Sequence, residues 1–274
     1  MYYFLTASKD TTIFSQQAVQ NTGLDEILEV SKVYYGNLKD TARSLVKFDL
    51  NTLPSKLSSG AVTMSEAQIV IRETQPSEIA LAYSLHIHPI SQSWEMGIGT
   101  RFDNISTDGC TWNYRASGSK WLPTEVPNGG LATGSYDGRG GMWYTASEQT
   151  QSYEYQSTDL EIDVSSSLSF WLDDNYPNEG FIIKHSDTKE NDDIDYGQLK
   201  FFSKDTNTIY QPKIRIGWDD SRYETGSLTD LPEEYKISLK RLKKSYKEGT
   251  RADIEVFARE LYPQKTFNNT FGYS

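Results

Sequence analysis

The stretch from Leu160 to Ser221 constrains the fold most, because several short segments of alternating polarity follow one another in it. Its first segment, Leu160–Val164, and its last, Lys213–Trp218, place apolar and polar residues in strict alternation. Successive side chains of a β-strand point to opposite faces, so this period of two residues predicts half-buried strands. A short helical turn around Trp171 and a turn at Pro177–Gly180 separate the segments. We interpret this part of the chain as the closing half of a β-sandwich.

The same period recurs along the chain up to about residue 225, in segments separated by turns rich in Gly, Asn, Asp and Ser. The remaining predicted strands are Thr11–Phe14, Ile27–Val33, Ser44–Leu50, Ala67–Arg72, Leu81–His88, Thr111–Tyr114, Met142–Thr145, Ser152–Tyr155, Phe181–Lys184 and Leu199–Phe202. So many short strands predict a mainly β protein with a jelly-roll-like antiparallel β-sandwich over residues 1–228. The Gly- and Pro-rich section Lys120–Gly141 is expected to form a long loop over one end of the sandwich.

The pattern changes at Asp230, which precedes Pro232 and Glu233 in the manner of a helix start. A first stripe at helical spacing is followed by Gly249, and a second is followed by Pro263. The stripes are Tyr235, Leu239, Leu242 and Tyr246, then Ile254, Phe257, Ala258 and Leu261. They predict an α-helical hairpin over residues 229–263. The polar and aromatic residues 264–274 are expected to form an extended tail that leads into a further region.

The formal net charge of −11 argues against a nucleic-acid binder, which needs a basic surface to neutralise phosphates. Seven Lys or Arg residues nevertheless cluster between Lys236 and Arg251. The basic face of the first predicted helix is therefore expected either to be solvated or to contact an acidic neighbouring subunit. The single cysteine, Cys110, excludes an intrachain disulfide. No apolar run approaches a membrane span, and the N-terminal residues do not resemble a signal peptide. We expect no membrane partner and synthesis in a reducing cytosol.

Two patterns contain residue types that bind metals. His86 and His88 share one face of a predicted strand, but two ligands are too few for zinc, so we expect paired polar positions on a solvent-facing strand. Asn191, Asp193 and Asp195 alternate as oxygen ligands of calcium do. A solvated hairpin loop remains the favoured interpretation of this acidic segment. The helical calcium-binding motif would need Gly where Tyr196 stands and Glu where Phe202 stands.

Flat aromatic rings can stack on sugar faces, and the chain has six tryptophans. Trp171 and Trp218 lie in apolar-alternating segments and are expected in the core. Trp121 and Trp143 flank the Gly-rich section and are the expected exposed glycan contacts. The sequence contains no Gly-x-Ser-x-Gly elbow, phosphate-binding Gly-rich loop or His-Glu-x-x-His motif, so we expect neither catalysis nor a cofactor.

Residues from about 10 to 220 resemble the DNRLRE-type, carbohydrate-binding-module-like β-sandwich domains. The residues that carry this resemblance are Asp10–Ile13, Asn21–Gly23, Arg43–Leu50, Pro54, Ser93–Gly97, Thr111–Asn113, Trp121, Asp163–Val164, Trp171, Pro177–Phe181 and Pro212–Ile216. The resemblance implies a β-sandwich fold. It carries no sugar-contacting residue over to this chain.

A narrower set of motifs is similar to virion structural proteins of large tailed phages, particularly marine T4-like ones. These motifs are Phe201–Tyr210, Trp218–Ser221, Thr225–Leu228 and Tyr262–Phe267. The resemblance implies a non-enzymatic subunit of the neck, tail or head surface of a virion, with other virion proteins and copies of itself as partners. The residues expected to carry assembly are Lys240, Lys243, Lys244, Lys247, Tyr262, Phe267 and Phe271. The alternative is a carbohydrate-binding module that attaches to a host surface.

Overall fold

The computed structural model of the chain describes residues 2–53, 64–75, 78–79, 81–122, 132–134, 139–145, 147–218, 235–240, 245–249, 251 and 253–260. Its contacts divide the chain into two compact units, Met1–Ser221 and Arg222–Ser274. Across the described ranges, no helix combines the length and the apolar character that crossing a membrane requires.

Short strands dominate the first unit, as the period of two residues predicts. They are β1 (Tyr2–Phe14), β2 (Ile27–Tyr35), β3 (Leu38–Phe48), β4 (Met64–Ile71), β5 (Tyr83–Pro89), β6 (Tyr114–Ala116), β7 (Ser119–Lys120), β8 (Ala132–Gly134), β9 (Met142–Tyr144), β10 (Gln149–Tyr153), β11 (Leu160–Asp163), β12 (Phe181–His185), β13 (Gly197–Phe202) and β14 (Lys213–Trp218). Two short helices, α1 (Ser165–Leu172) and α2 (Asp187–Asn191), and a 3-10 turn at Leu50–Thr52 interrupt them.

Ten strands form one antiparallel sheet in the order β10-β5-β12-β3-β1-β14-β4-β11, with β2 paired to β3 and β13 paired to β2. The long strand β1 takes part in two different pairings. Its first residues, Tyr2–Thr6, pair with β14, and the residues from Ala7 to Phe14 pair with β3. The register shifts between Ala7 and Lys9, and such a bulge lets one strand pass from one layer to the other. The mainly β, antiparallel sandwich-like fold predicted from the sequence is confirmed.

The main core lies between the two layers and consists of the apolar residues that alternate along the strands. Its members include Val46 and Phe48 of β3, Ile69 and Ile71 of β4, Leu85 and Ile87 of β5, Phe181 and Ile183 of β12, and Ile214 and Ile216 of β14. Each fully buried side chain of this size contributes about 1.5–3 kcal/mol to stability. Trp171 of α1 packs on Phe181 with ring centroids 4.7 Å apart, and Trp218 packs partly buried against the same cluster. The predicted core role is confirmed for Trp171, whereas Trp218 is only partly buried.

A second hydrophobic cluster lies on the other face of the layer that contains β3 and β12. Ile13, Leu45 and Ile182 contribute to it from the strands. The part of the chain between β5 and β10 folds back over this face and contributes Ile90, Trp94, Cys110, Trp121, Met142, Trp143 and Tyr144. Both faces of this layer are therefore covered by protein.

Asn21 holds the covering segment in place. Its side-chain amide donates to the carbonyl oxygens of Met96 and Cys110, both at 2.7 Å. Its side-chain oxygen accepts from the backbone N–H groups of Gly23 at 3.1 Å and Gly99 at 2.8 Å. Asn21 is fully buried, so all four hydrogen bonds are shielded from water.

The second unit departs from its predicted secondary structure. Tyr235–Lys240 (β15) and Glu255–Glu260 (β16) pair as antiparallel strands, with Leu239 opposite Val256 and Ile237 opposite Ala258. The prediction of an α-helical hairpin over 229–263 is therefore wrong for these segments. The tail over 264–274 lies outside the described residues.

The sequence contains the reason for this difference. Tyr235, Ile237 and Leu239 alternate strictly with Lys236, Ser238 and Lys240, which is the period of a strand. The helical interpretation used apolar residues three or four positions apart and passed over Ile237. A segment this short satisfies both periods, and pairing with a distant second segment decides between them.

Candidate functional site

A row of ionisable side chains crosses the covered outer face of the sheet, on three adjacent strands. Arg43 of β3, Lys184 of β12 and His86 of β5 form this row, in which Lys184 lies directly opposite His86. Arg43 and Lys184 are both buried beside the second hydrophobic cluster. Charged groups in such a place need partners, because an unpaired buried charge is strongly destabilising.

The short helix α2 supplies the counter-charges. Glu190 accepts from both Nε, at 3.0 Å, and Nη2 of Arg43. Lys184 Nζ donates to Asp187 at 2.5 Å and lies 3.5 Å from the carboxylate of Glu190. Ser186 caps the helix by accepting from the backbone N–H of Lys189. The sequence places α2 directly after β12, so Asp187 and Glu190 reach the row without a long connection.

Trp143 lies over this row and is almost completely buried. The Arg43 guanidinium carbon lies 5.2 Å from its ring centroid and 4.8 Å from that of Trp112, and Lys184 Nζ lies 4.8 Å from the Trp143 ring. Cations over aromatic faces are attracted by the ring quadrupole. Arg43 also donates to the carbonyl oxygen of Gly140. Both buried cations are thus held by carboxylates and aromatic rings.

The prediction that Trp121 and Trp143 form an exposed glycan platform is wrong. Trp121 is 0% exposed and Trp143 is 3% exposed. The Trp121 indole N–H donates to the carbonyl oxygen of Thr111 at 3.1 Å, inside the second cluster. The predicted long loop over Lys120–Gly141 lies largely outside the described residues, and its part Ala132–Gly134 is the strand β8, paired with β9. The Gly- and Pro-rich composition does not reveal that the flanking tryptophans turn inward.

His86, His88 and Glu148 come together at the edge of this covered face. Each offers one ligand atom, and the three atoms lie within 4.8 Å of one another. His86 Nδ1 contacts Oε1 of Glu148, and His88 Nε2 lies 3.9 Å from the same oxygen. The His88 ring lies 5.8 Å from the Trp143 ring, and burial lowers the pKa of His88 to about 4.

The sequence predicts the shared face of the two histidines but not their surroundings. His88 is buried beneath Trp143, so the expected solvent-facing position is wrong for this residue. Glu148 was missed, because the register of β10 against β5 brings it into the cluster. Gln149 pairs with Ile87. Glu148 lies directly before Gln149 and directly after Ser147, whose backbone is in the left-handed region (φ 65°). The signal in the sequence was the position of this glutamate directly before β10, which is an edge strand of the sheet.

The predicted calcium ligands make contacts with protein groups. Asn191 donates its side-chain amide to the carbonyl oxygen of Asp187 at 2.8 Å. Asp195 accepts from the backbone N–H of Gly197 at 2.8 Å and from that of Tyr34 at 3.1 Å, while Asp193 is exposed. The acidic segment is therefore more than a solvated loop, since its backbone and side chains take part in the fold.

This segment encloses the ammonium group of Lys32, a fully buried residue of β2. Lys32 donates to the carbonyl oxygens of Lys189 at 2.7 Å and Asp192 at 2.5 Å and to the carboxylate of Asp192. Asp192 also accepts from the Tyr196 hydroxyl at 2.6 Å. These hydrogen bonds lower the pKa of Asp192 against the opposing effect of desolvation.

Two of the predicted assembly residues lie in described parts of the chain. Lys240 is exposed, with Nζ 4.3 Å from the ring centroid of Phe257, and Lys247 is exposed. The others, Lys243, Lys244, Tyr262, Phe267 and Phe271, lie outside the described residues.

The β15–β16 hairpin has one apolar face. Cross-strand pairing places Ile237, Leu239, Val256 and Ala258 on the same side. Ile237 is 66% exposed, Leu239 54% and Val256 64%. We call this surface, formed by Ile237, Leu239, Val256 and Ala258, the hairpin face.

A scan against protein-family models and a search of curated proteins each found no match for this chain. Functional proposals for the chain therefore depend on its own residues and on their geometry.

Proposed function

We propose that this chain is a non-enzymatic structural subunit of a tailed-phage virion, located in the neck, tail or head surface. It acts through assembly contacts with other virion proteins, including copies of itself. The observation that carries the assembly role is the exposed, apolar hairpin face. The similarity of four short motifs to virion structural proteins supports the particle as its setting.

The physical argument begins with the size of the hairpin. Two strands alone bury little surface and are marginally stable in water. The hairpin face nevertheless directs Ile237, Leu239 and Val256 outward, each more than half exposed. Contiguous exposed apolar surface is typical of protein–protein contacts, and a partner that covered these side chains would contribute roughly 25 cal/mol per Å² buried.

The charge pattern favours an acidic partner. Seven Lys or Arg residues lie between Lys236 and Arg251, whereas the chain as a whole has a net charge of −11. The rest of the same chain is thus acidic enough to be such a partner. Charge complementarity of this kind mainly accelerates association and sets its specificity.

The experiment compares two lysine substitutions on neighbouring residues of β15. Leu239→Lys places a charge on the hairpin face, and Ser238→Lys adds the same charge on the opposite side of the strand. Phage particles that carry each variant would be purified, and the incorporated chain quantified by mass spectrometry. We expect Leu239→Lys to reduce incorporation at least about tenfold, and Ser238→Lys to leave it near the wild-type amount.

Equal incorporation of both variants would contradict assembly through the hairpin face. Absence of the wild-type chain from purified particles would contradict the virion assignment itself. The glycan-binding alternative has no comparable support, since both tryptophans expected to form its platform are buried. We therefore propose assembly alone.

A further inference from the structure

Among the described residues, one group of three side chains is arranged so that it could hold a metal ion: His86, His88 and Glu148. The two imidazoles project from one face of β5, with ring planes 16° apart and centroids separated by 6.3 Å. The carboxylate reaches them from the residue before β10, the neighbouring strand. Two histidines and one carboxylate are a common ligand set of zinc sites that keep a further position open.

The hydrogen bonding of His88 is incomplete without a ligand. Its Nδ1 atom is buried and has no hydrogen-bond partner among the described residues. Its Nε2 atom lies 3.9 Å from Oε1 of Glu148, which exceeds hydrogen-bonding distance. Nε2 is the atom that faces Glu148, and an ion bound there would supply the partner that the carboxylate is too distant to provide.

Access and preorganisation also suit a metal ion. The Glu148 side chain is 40% exposed and that of His86 19%, so an ion can enter from solvent. Trp143 packs against His88 from the protein side and fixes its ring. The strand spacing holds both imidazoles in place before any ion binds, so little side-chain entropy is lost on binding.

The nearby charges do not repel a cation overall. Lys184 lies opposite His86, but its charge is balanced by Asp187 and Glu190, which also pairs with Arg43. Counting Arg43, Lys184, Asp187, Glu190 and Glu148 with neutral histidines, the acids exceed the bases by one. A divalent ion would therefore find a slightly negative site.

We propose that His86, His88 and Glu148 bind a divalent transition-metal ion of the zinc class. The ion would lie between the two imidazoles and the carboxylate, in place of the hydrogen bond that His86 makes to Glu148. Ligation through Nδ1 displaces the proton that this atom donates to Glu148. That proton passes to solvent or to Nε2, and the bound, neutral imidazole carries its proton on Nε2. The fourth position faces solvent at the edge of the sheet. This inference does not depend on the virion assignment.

The test uses the full, untagged chain after removal of metal with a chelator, since a histidine tag would itself bind zinc. Zn²⁺ would be titrated calorimetrically, and metal content measured after gel filtration. Co²⁺ would serve as a second probe, because its visible absorption reports the coordination number. We expect one ion per chain, a four-coordinate Co²⁺ spectrum and a higher melting temperature with Zn²⁺ present.

Glu148→Gln and Glu154→Gln form a matched pair, because the two exposed glutamates flank opposite ends of β10 and lose the same charge. We expect Glu148→Gln to weaken Zn²⁺ binding at least about tenfold and to abolish the thermal stabilisation. Glu154→Gln should bind like the wild type. His86→Gln should weaken binding as strongly as Glu148→Gln.

Two outcomes would overturn the proposal. One is a wild-type chain that binds no stoichiometric Zn²⁺. The other is equal binding by the Glu148→Gln and Glu154→Gln variants, which would assign any bound zinc to adventitious surface carboxylates. Circular dichroism of each variant confirms folding. Because Glu148 lies largely at the surface, its isosteric variant keeps the test valid even if His86→Gln does not fold.

Discussion

Arg43 and Glu190 form a buried, bidentate ion pair across 147 residues of sequence. The arginine lies on a central strand of the sheet, and the glutamate lies on the helix α2, which follows β12 directly. Glu190 also faces Lys184, so a single carboxylate balances part of the charge of two buried cations. This relationship joins the sheet to α2.

Replacing Glu190 with glutamine should destabilise the protein strongly. The variant leaves Arg43 and Lys184 buried with less counter-charge, and breaking a buried pair in this way costs about 3–5 kcal/mol. Chemical denaturation of the purified chain measures the loss. Asp187→Asn is the control, because Asp187 is largely exposed and its pair with Lys184 should contribute about 1 kcal/mol or less. Similar losses for both variants would contradict the central role of Glu190.

Asn21→Ala should also be destabilising, by about 2–4 kcal/mol. The substitution leaves four buried backbone groups without their partner, those of Met96, Cys110, Gly23 and Gly99. Thermal and urea unfolding would measure the change. The matched control is Asn207→Ala, since Asn207 is exposed and its loss should change stability by about 0.5 kcal/mol or less.

Asp10 should make stability fall as the pH rises. Burial, the largest cause, raises the pKa of Asp10 from 3.8 to about 7, and nearby Asp205 adds to the shift. Between these two pKa values the folded protein holds a proton that the unfolded chain has released. The resulting stability is fully present below pH 3.8 and is lost as the pH rises through 7.

Asp10→Asn removes this titration, so the variant should gain stability relative to the wild type between pH 5 and pH 8, by about 2–3 kcal/mol. Denaturation curves at several pH values would test this. Asp193→Asn removes the same charge from an exposed position, and its difference from the wild type should stay nearly constant. A constant difference for Asp10→Asn as well would contradict the raised pKa.

Cys110 should be inert in the folded protein. The thiol is completely buried in the second hydrophobic cluster, and desolvation raises its pKa well above the usual value. The thiolate is the reactive form, so a thiol reagent should modify the chain only after it opens. The rate of modification, followed by absorbance in increasing denaturant, should track unfolding of the covering segment. Rapid, complete modification in buffer would contradict this burial.

The sequence predicts most of the longer strands, because each one repeats a local pattern, whereas only Tyr114 of the predicted strand Thr111–Tyr114 lies in a strand. Ile214, Ile216 and Trp218 alternate with polar residues, and the alternate residues Ile214 and Ile216 point into the main core. A local period does not identify what covers the opposite face. His88 occupies a position expected to meet solvent, but the segment between β5 and β10 covers it, and Arg43 and Lys184 are buried beside the same segment.

The candidate site was predictable only in part for the same reason. Two residues apart on one strand, His86 and His88 necessarily share a face. Glu148 joins them only through the register of β10, which is a relationship between strands distant in sequence. In the second unit, Tyr235–Lys240 satisfies both helical and strand periods, and the pairing with Glu255–Glu260 decides between them.

The sequence by itself determined that this chain forms an antiparallel β-sandwich, because the alternation of apolar residues determines which side of each strand faces the main core. Only the tertiary structure decided that the segment between β5 and β10 covers the outer face of one layer and buries Trp121 and Trp143. It also decided that Arg43 pairs with Glu190. The physical reason is the range of the interactions. Periodicity acts between neighbours in sequence, whereas ion pairs, ring contacts and potential ligand sets form between residues that only the complete fold brings together.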